Sequence, residues 1–204
     1  MKKEKIIIVL DTETLGLNNP TIYELGYIVY NQDTKKNLKE RDYLIKQIYD
    51  NKELFASAYY SNKRPLYEEK IASKLAKAVY WGYALKVLIN DIERYGVQEI
   101  YAYNSKFDTK AFLHTMKQLK AITKFEPQIK DIMNHINSIT DTEDYINFCI
   151  SNGYMTKHKK PRPQKKAETL YRYLTKNTDF IEDHMALEDS QIELYILKVA
   201  LGLI

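Results

Sequence analysis

Several carboxylates in this sequence stand where acids repel one another or cost energy to bury, and cation binding is the chemistry that explains such placement. Asp11-Thr12-Glu13 follows directly on the apolar run Ile6 to Leu10, and strand alternation puts both acids on one face. At about 4 Å and an effective dielectric near 20, such a pair costs roughly 4 kcal/mol unless a cation sits between them. Taken alone, the motif is equally well explained as a solvated turn with acidic capping residues. Asp108 closes Asn104-Ser105-Lys106-Phe107-Asp108, just past the predicted strand Gln98 to Tyr103. With Ser105 capping the next helix, Asp108 falls in its first turn, where a carboxylate favours the helix dipole. That role alone accounts for it.

The third site weighs most. Asp189, Ile192, Ile196, Val199 and Leu203 follow helical spacing, so Asp189 heads a stripe that should face a sheet. A carboxylate there is expensive unless paired with a cation. Glu188 lies about 100° round the helix and reads as solvated. His184 precedes the helix, so its ring can swing toward whatever Asp189 faces; by itself it reads as a surface or capping histidine. Taken together, four acids and a histidine sit on elements that can meet at the carboxyl edge of one α/β sheet. Oxygen ligands select Mg²⁺ or Mn²⁺. Two such ions about 3.5–4 Å apart are the usual arrangement for phosphodiester hydrolysis.

The elements that must position these residues follow from periodicity. Lys5 to Leu10 reads as a buried central strand, Ile22 to Tyr30 as a second, and Gln32-Asp33-Thr34-Lys35 as a turn into a third, Leu38 to Ile45. Tyr49 to Glu93 has a helical pattern through Leu75, Ala78, Val79, Leu85, Leu88, Ile89 and Ile92, with Gly96 as C-cap. Ala111 to Lys120 predicts a helix, Phe125 to Met133 a short strand, and Asp144 to Ile150 a short helix. Ala167 to Leu174 and Ala186 to Leu203 predict the last two helices. Ser151 to Lys166 carries two prolines, one glycine and six lysine or arginine side chains, and reads as a basic loop. Strands followed by alternating strands and helices predict a two- or three-layer α/β fold with a mixed sheet. No composition shift divides residues 1–204, which read as a single domain.

Composition narrows the function classes. The 204 residues carry a net charge of +4, compatible with a polyanionic partner. Cys149 is the one cysteine, which excludes a disulfide framework or a thiolate zinc site and fits a reducing cytosol. His158 and Cys149 form no credible metal site. Lys2, Lys3 and Lys5 precede the first apolar run as in a signal peptide. But Glu4 interrupts them, Asp11 and Glu13 follow, and there is no cleavage site, so a cytoplasmic protein without a membrane span is expected. The abundance of lysine, isoleucine, asparagine and 18 tyrosines fits an AT-rich genome, that of a low-GC bacterium or its phage. Tyr59 and Tyr60 read as buried helix aromatics, with stacking on bases as the alternative.

The stretches Val9 to Gly16, Tyr103 to Asp108 and His184-x4-Asp189 resemble, in order, the three exonuclease motifs of the DnaQ-like DEDDh 3′–5′ exonucleases. Ile22-Tyr23-Glu24-Leu25-Gly26 resembles that family's second strand. The sister subgroup has tyrosine four residues before the last acid; here that residue is Met185, and His184 fits the histidine subgroup. Two features depart from the family pattern: Tyr103 stands where many relatives have histidine, and the basic segment Lys157 to Lys166 has no recognised counterpart. The resemblance implies a ribonuclease H-like α/β fold, a mixed five-stranded sheet flanked by helices, and two divalent cations, Mg²⁺ or Mn²⁺. Asp11 would bridge both ions, with Glu13, Asp108 and Asp189 completing the cage and His184 as general base. It further implies Leu15 and Leu17 against the 3′-terminal base, with a place in the core as the alternative for either, and Thr12, Thr14, Asn104 and Phe107 beside the substrate. The basic segment itself, outside the resemblance, reads equally as a clamp on the nucleic-acid backbone by Lys157, Lys159, Lys160, Arg162, Lys165 and Lys166 or as a solvated loop. The implied activity is release of nucleoside 5′-monophosphates from the 3′ end of single-stranded or frayed DNA. The alternatives are an exoribonuclease like oligoribonuclease or ribonuclease T, and a proofreading or interaction subunit for a separate polymerase or replication partner.

Overall fold

The run Ile6 to Leu10 needs apolar cover on both faces and receives it. In a computed structural model the structure describes residues 4–120 and 125–204, so Lys2 and Lys3 lie outside the described residues. Its strands are β1 (Ile6–Thr14), β2 (Ile22–Asn31), β3 (Lys36–Ile45), β4 (Lys77–Val79), β5 (Glu99–Ala102) and β6 (Ile129–Asp131). They form one sheet in the order β4-β3-β2-β1-β5-β6. The β1–β2 and β2–β3 pairs are antiparallel, whereas β1–β5, β5–β6 and β3–β4 are parallel. The helices are α1 (Lys46–Tyr49), α2 (Lys52–Ala56), α3 (Arg64–Ala72), α4 (Trp81–Tyr95), α5 (Lys106–Gln118), α6 (Asn137–Thr140), α7 (Glu143–Ser151), α8 (Ala167–Thr175) and α9 (Ala186–Ala200).

Period-two alternation divides the core. Ile8 and Leu10 of β1, with Tyr27 and Val29 of β2, pack with Trp81, Leu85 and Leu88 of α4 and Phe112 of α5. Ile7 and Val9, with Ile28 and Tyr30, face the opposite way into Tyr145 and Cys149 of α7, Leu170 of α8, and Ile192 and Ile196 of α9. Odd-numbered residues of β1 therefore share the side of α9, and even-numbered ones the side of α4 and α5. This parity decides where Asp11, Thr12 and Glu13 go.

The expected continuous helical stretch from Tyr49 to Glu93 is broken, and the sheet gains a strand. Asn51 accepts a hydrogen bond from the Leu54 amide as the cap of α2, and Pro65 starts α3. Lys74 turns the chain at φ 65°. The next residues then enter β4 and pair with Tyr43, Leu44 and Ile45. Leu75, expected inside, is 70% exposed, and Ala78 and Val79 pack from a strand. The sixth strand is this edge strand, too short to show a period of its own. Gly96 does end α4, in the left-handed region at φ 62°. The basic segment also differs from an open loop: Met155 and Pro163 form an isolated β-bridge. No described helix is long and apolar enough to cross a membrane.

Candidate active site

Beyond the carboxyl ends of β1 and β5 lies a cavity of about 810 Å³. Parity sends Asp11 and Glu13 of β1 to the α9 side, where Asp189 and, one turn on, Glu193 come down from the helix. Thr12 points the other way and is buried; its hydroxyl donates to Asp108 Oδ1 at 2.8 Å, in the first turn of α5. Asp11, Glu13, Asp108, Asp189 and Glu193 all line this cavity, together with Glu182 and His184. Helix α9 comes this close because residue 26 is glycine. A Cβ there would stand 2.2 Å from the Ala186 carbonyl carbon and from the Leu187 amide nitrogen.

So many acids in one partly buried space suppress one another's ionisation. Burial, followed by repulsion from Glu182, pushes Asp11 up to about 7. Burial, then Asp11, pushes Glu13 up to about 9, although Lys63 pulls the other way. Asp189 is raised to about 10 by burial and then by Asp11. Asp108 and Glu193 lie well above the ordinary carboxylate range for the same two reasons. Asp189 Oδ1 is buried without a hydrogen-bond partner, and ligand atoms of Glu13, His184 and Asp189 lie within 4.8 Å of one another. This oxygen-rich donor set, with an orphaned carboxylate oxygen and strong mutual repulsion, fits hard divalent cations.

His184 arrives on irregular backbone, at φ 48°. Its ring stacks on Tyr60 with centroids 4.6 Å apart and planes 13° off parallel. Lys63 reaches over from the start of α3. Its ammonium donates to the Asp183 carbonyl, lies 3.5 Å from the His184 carbonyl oxygen, and sits 4.5 Å from the Tyr60 ring centroid. The imidazole is pushed below its ordinary value, first by burial and then by Lys63. Its Nδ1 is 3.6 Å from a Glu182 carboxylate oxygen.

Of the residues expected to meet substrate, Thr12, Thr14, Leu17, Asn104, Phe107, Lys165 and Lys166 line the cavity. Leu15 does not: it packs on the core cluster beneath, because the chain bends back there and the Leu15 amide bonds the Thr21 carbonyl at 3.0 Å. Ser105 holds the cap position of α5 but makes no side-chain cap bond, its backbone being already helical. Glu188 is not simply solvated. It accepts from Lys70 at 2.8 Å, and the same ammonium pairs with buried Asp42 and lies 3.9 Å from Glu24. A lysine thus supplies the positive charge for this second group of acids. Tyr59 and Tyr60 are not core aromatics: they sit on the turn after α2 at the cavity mouth, and Tyr59 is 85% exposed.

Glu193, Glu182 and Lys63 were not anticipated as site residues, and Tyr60 entered only through the base-stacking alternative. Glu193 left one signal, a second acid at i+4 from Asp189 on the same helix face; it is buried and accepts from the Tyr103 amide at 3.1 Å. Glu182 and Lys63 come from segments without periodicity and left none.

The mixed six-stranded sheet flanked by helices has the ribonuclease H-like fold. No family model and no curated protein sequence matches the chain. Among solved structures, it is similar to the nuclease domain of 3′hExo, a DEDDh family member, bound to rAMP. The TM-score is 0.62 at 13% identity, covering 98% of this chain and 94% of that one. It is also similar to E. coli Exonuclease I in complex with a dA16 oligonucleotide, with a TM-score of 0.54 at 14% identity. That match covers 96% of this chain and 41% of that one. The shared feature is the fold.

Proposed function

We propose that the chain is a divalent-metal-dependent 3′–5′ exonuclease of the DEDDh type, acting on single-stranded or frayed DNA. The observation that carries the proposal is the meeting of all four motif acids and His184 in one cavity, on a fold shared with two exonucleases. Asp11, Glu13, Asp108 and Asp189 would hold two ions, Mg²⁺ or Mn²⁺, which when bound polarise the scissile phosphate and stabilise the departing 3′ oxygen. Glu193 reinforces the cage by holding the Tyr103 amide and adding negative charge behind it.

The remaining work falls to the chain's own groups. His184 accepts the proton of the attacking water; burial and Lys63 keep it neutral and so able to accept. Glu182 beside Nδ1 favours a proton on that nitrogen and leaves Nε2 as the acceptor. Water oxygen bonds to phosphorus, the bond to the 3′ oxygen breaks, that oxygen takes a proton, and a nucleoside 5′-monophosphate leaves. Leu17, Phe107 and Asn104, which line the same cavity, would contact the terminal nucleotide.

An exoribonuclease of the same chemistry is the second reading, since the two structural neighbours were captured with a ribonucleotide and with a deoxyoligonucleotide. The two part at contacts to the 2′-OH. A gel of 5′-end-labelled DNA and RNA strands with Mg²⁺, Mn²⁺ or EDTA tests both. The expected result is a ladder of 3′-shortened products with metal and none with EDTA. Intact strands of both kinds at millimolar metal overturn the proposal. Hydrolysis by the purified chain also removes the idea of a catalytically silent polymerase subunit.

A further inference from the structure

The basic segment whose sequence fits no family pattern has a defined shape. Its two limbs meet at the Met155–Pro163 bridge. The Thr156 amide donates to the Arg162 carbonyl at 2.8 Å, and the Arg162 amide to Thr156 Oγ1 at 2.9 Å. The hairpin is anchored by two tyrosine hydroxyls at its base: Tyr145 donates to the Gln164 carbonyl and Tyr103 to the Lys165 carbonyl, each at 2.5 Å. Tyr103 therefore ties this hairpin to the catalytic cavity that it also lines.

Beneath the hairpin lies a second cavity, of about 830 Å³, lined by His158, Lys159, Lys160, Arg162 and Lys165 and floored by Ile146. Lys165 lines both cavities, so the two are neighbours. The one carboxylate lining the second, Asp141, is already paired with Lys165 at 3.2 Å. Lys159, Lys160 and Arg162 make no ion pair among the described residues. The catalytic cavity is rich in acids and cannot by itself attract a polyanion. A groove of unpaired cations beside it is complementary to a phosphodiester backbone.

We propose that this groove binds the backbone of the substrate strand upstream of the scissile bond, with the hairpin as its outer wall. The direction of the strand rests on the exonuclease reading above; the binding itself does not. The consequence is a substrate class: strands long enough to pass Lys165 and enter the groove, in preference to dinucleotides. Contacts of this kind go to phosphate and are indifferent to base.

The test is binding by fluorescence anisotropy, in EDTA so that no hydrolysis occurs, using the whole chain. The probes are labelled oligothymidylate and oligouridylate of about a dozen nucleotides and the matching dinucleotides. Wild type should hold the longer strands at least about tenfold more tightly than the dinucleotides. Replacing the three free cations together (Lys159→Gln, Lys160→Gln, Arg162→Gln) should remove that advantage. It should also make the log–log salt slope shallower by about 2, at about 0.7 per phosphate contact on a single strand. Equal affinity and an equal salt slope for wild type and variant overturn the proposal, as does a wild type indifferent to length. An unchanged melting temperature shows that the variant is folded. If wild type binds in this way yet never hydrolyses with Mg²⁺ or Mn²⁺, the exonuclease reading fails and the groove stands.

Discussion

Asp11 is the acid whose charge raises Glu13, Asp108, Asp189 and Glu193, and it itself is raised only to about 7. It thus ionises before Glu13 and Asp189. Asp11→Asn should abolish hydrolysis while leaving nucleic-acid binding largely intact, as measured by the strand-shortening gel beside a binding titration. Glu193→Gln separates repulsion from metal holding. Because burial and Asp11 oppose ionisation of the Glu193 carboxyl, the variant's melting temperature in EDTA should gain on that of wild type as pH rises. The substitution should also weaken Mg²⁺ or Mn²⁺ affinity about tenfold, a scale typical of groups that support metal ligands. Tyr60 acts through its ring face on His184. Tyr60→Leu should lower kcat about tenfold with little change in KM, while Tyr60→Phe, which keeps the stack, should stay near wild type. Steady-state kinetics on one oligonucleotide checks both.

At the scale of elements, the close crossing of β2 and α9 at Gly26 sets where Asp189 and Glu193 stand. Gly26→Ala places a methyl against backbone, not against a side chain that can swing away. About 1–3 kcal/mol of stability should be lost, read by urea denaturation, and activity should fall further than stability alone accounts for. The strands β1, β2 and β3, the helices α5 and α9, and the end of α4 at Gly96 were legible in the sequence because apolar periodicity or clear punctuation marks each. The motif acids were legible for a related reason: each sits at the end of such an element, where burial of a charge contradicts the pattern. What stayed hidden was short or irregular. The strand β4 has three residues, and its apolar pair matches a helical period by chance. Tyr60, Lys63 and Glu182 reach the cavity from turns, which no periodicity predicts. Leu15 stayed open between substrate and core because a residue near a strand's end can face either way, and the return bond to Thr21 goes with the core.

For the molecule as a whole, metal and proton compete for the same oxygens. Asp11, Glu13 and Asp189 hold their protons more tightly in the folded chain than at their ordinary values of 3.8, 4.5 and 3.8. Their contribution to stability is complete below those values. It is lost as pH rises through about 7, about 9 and about 10 respectively. The melting temperature of the metal-free protein should therefore fall steadily between pH values near 5 and near 9. Mg²⁺ or Mn²⁺ should restore it, with the larger gain at the alkaline end, and by about 2.7 kcal/mol at about a hundredfold excess over Kd. A metal-free melting curve flat across that range counts against the crowding of these acids. The acids ride on β1, α5 and α9, whereas His184 comes from the stretch 176–185, which has no regular secondary structure. On the exonuclease reading, cargo loading and turnover are thereby mounted on different parts of the machine: an alteration confined to that stretch would idle turnover while ions and strand stay bound.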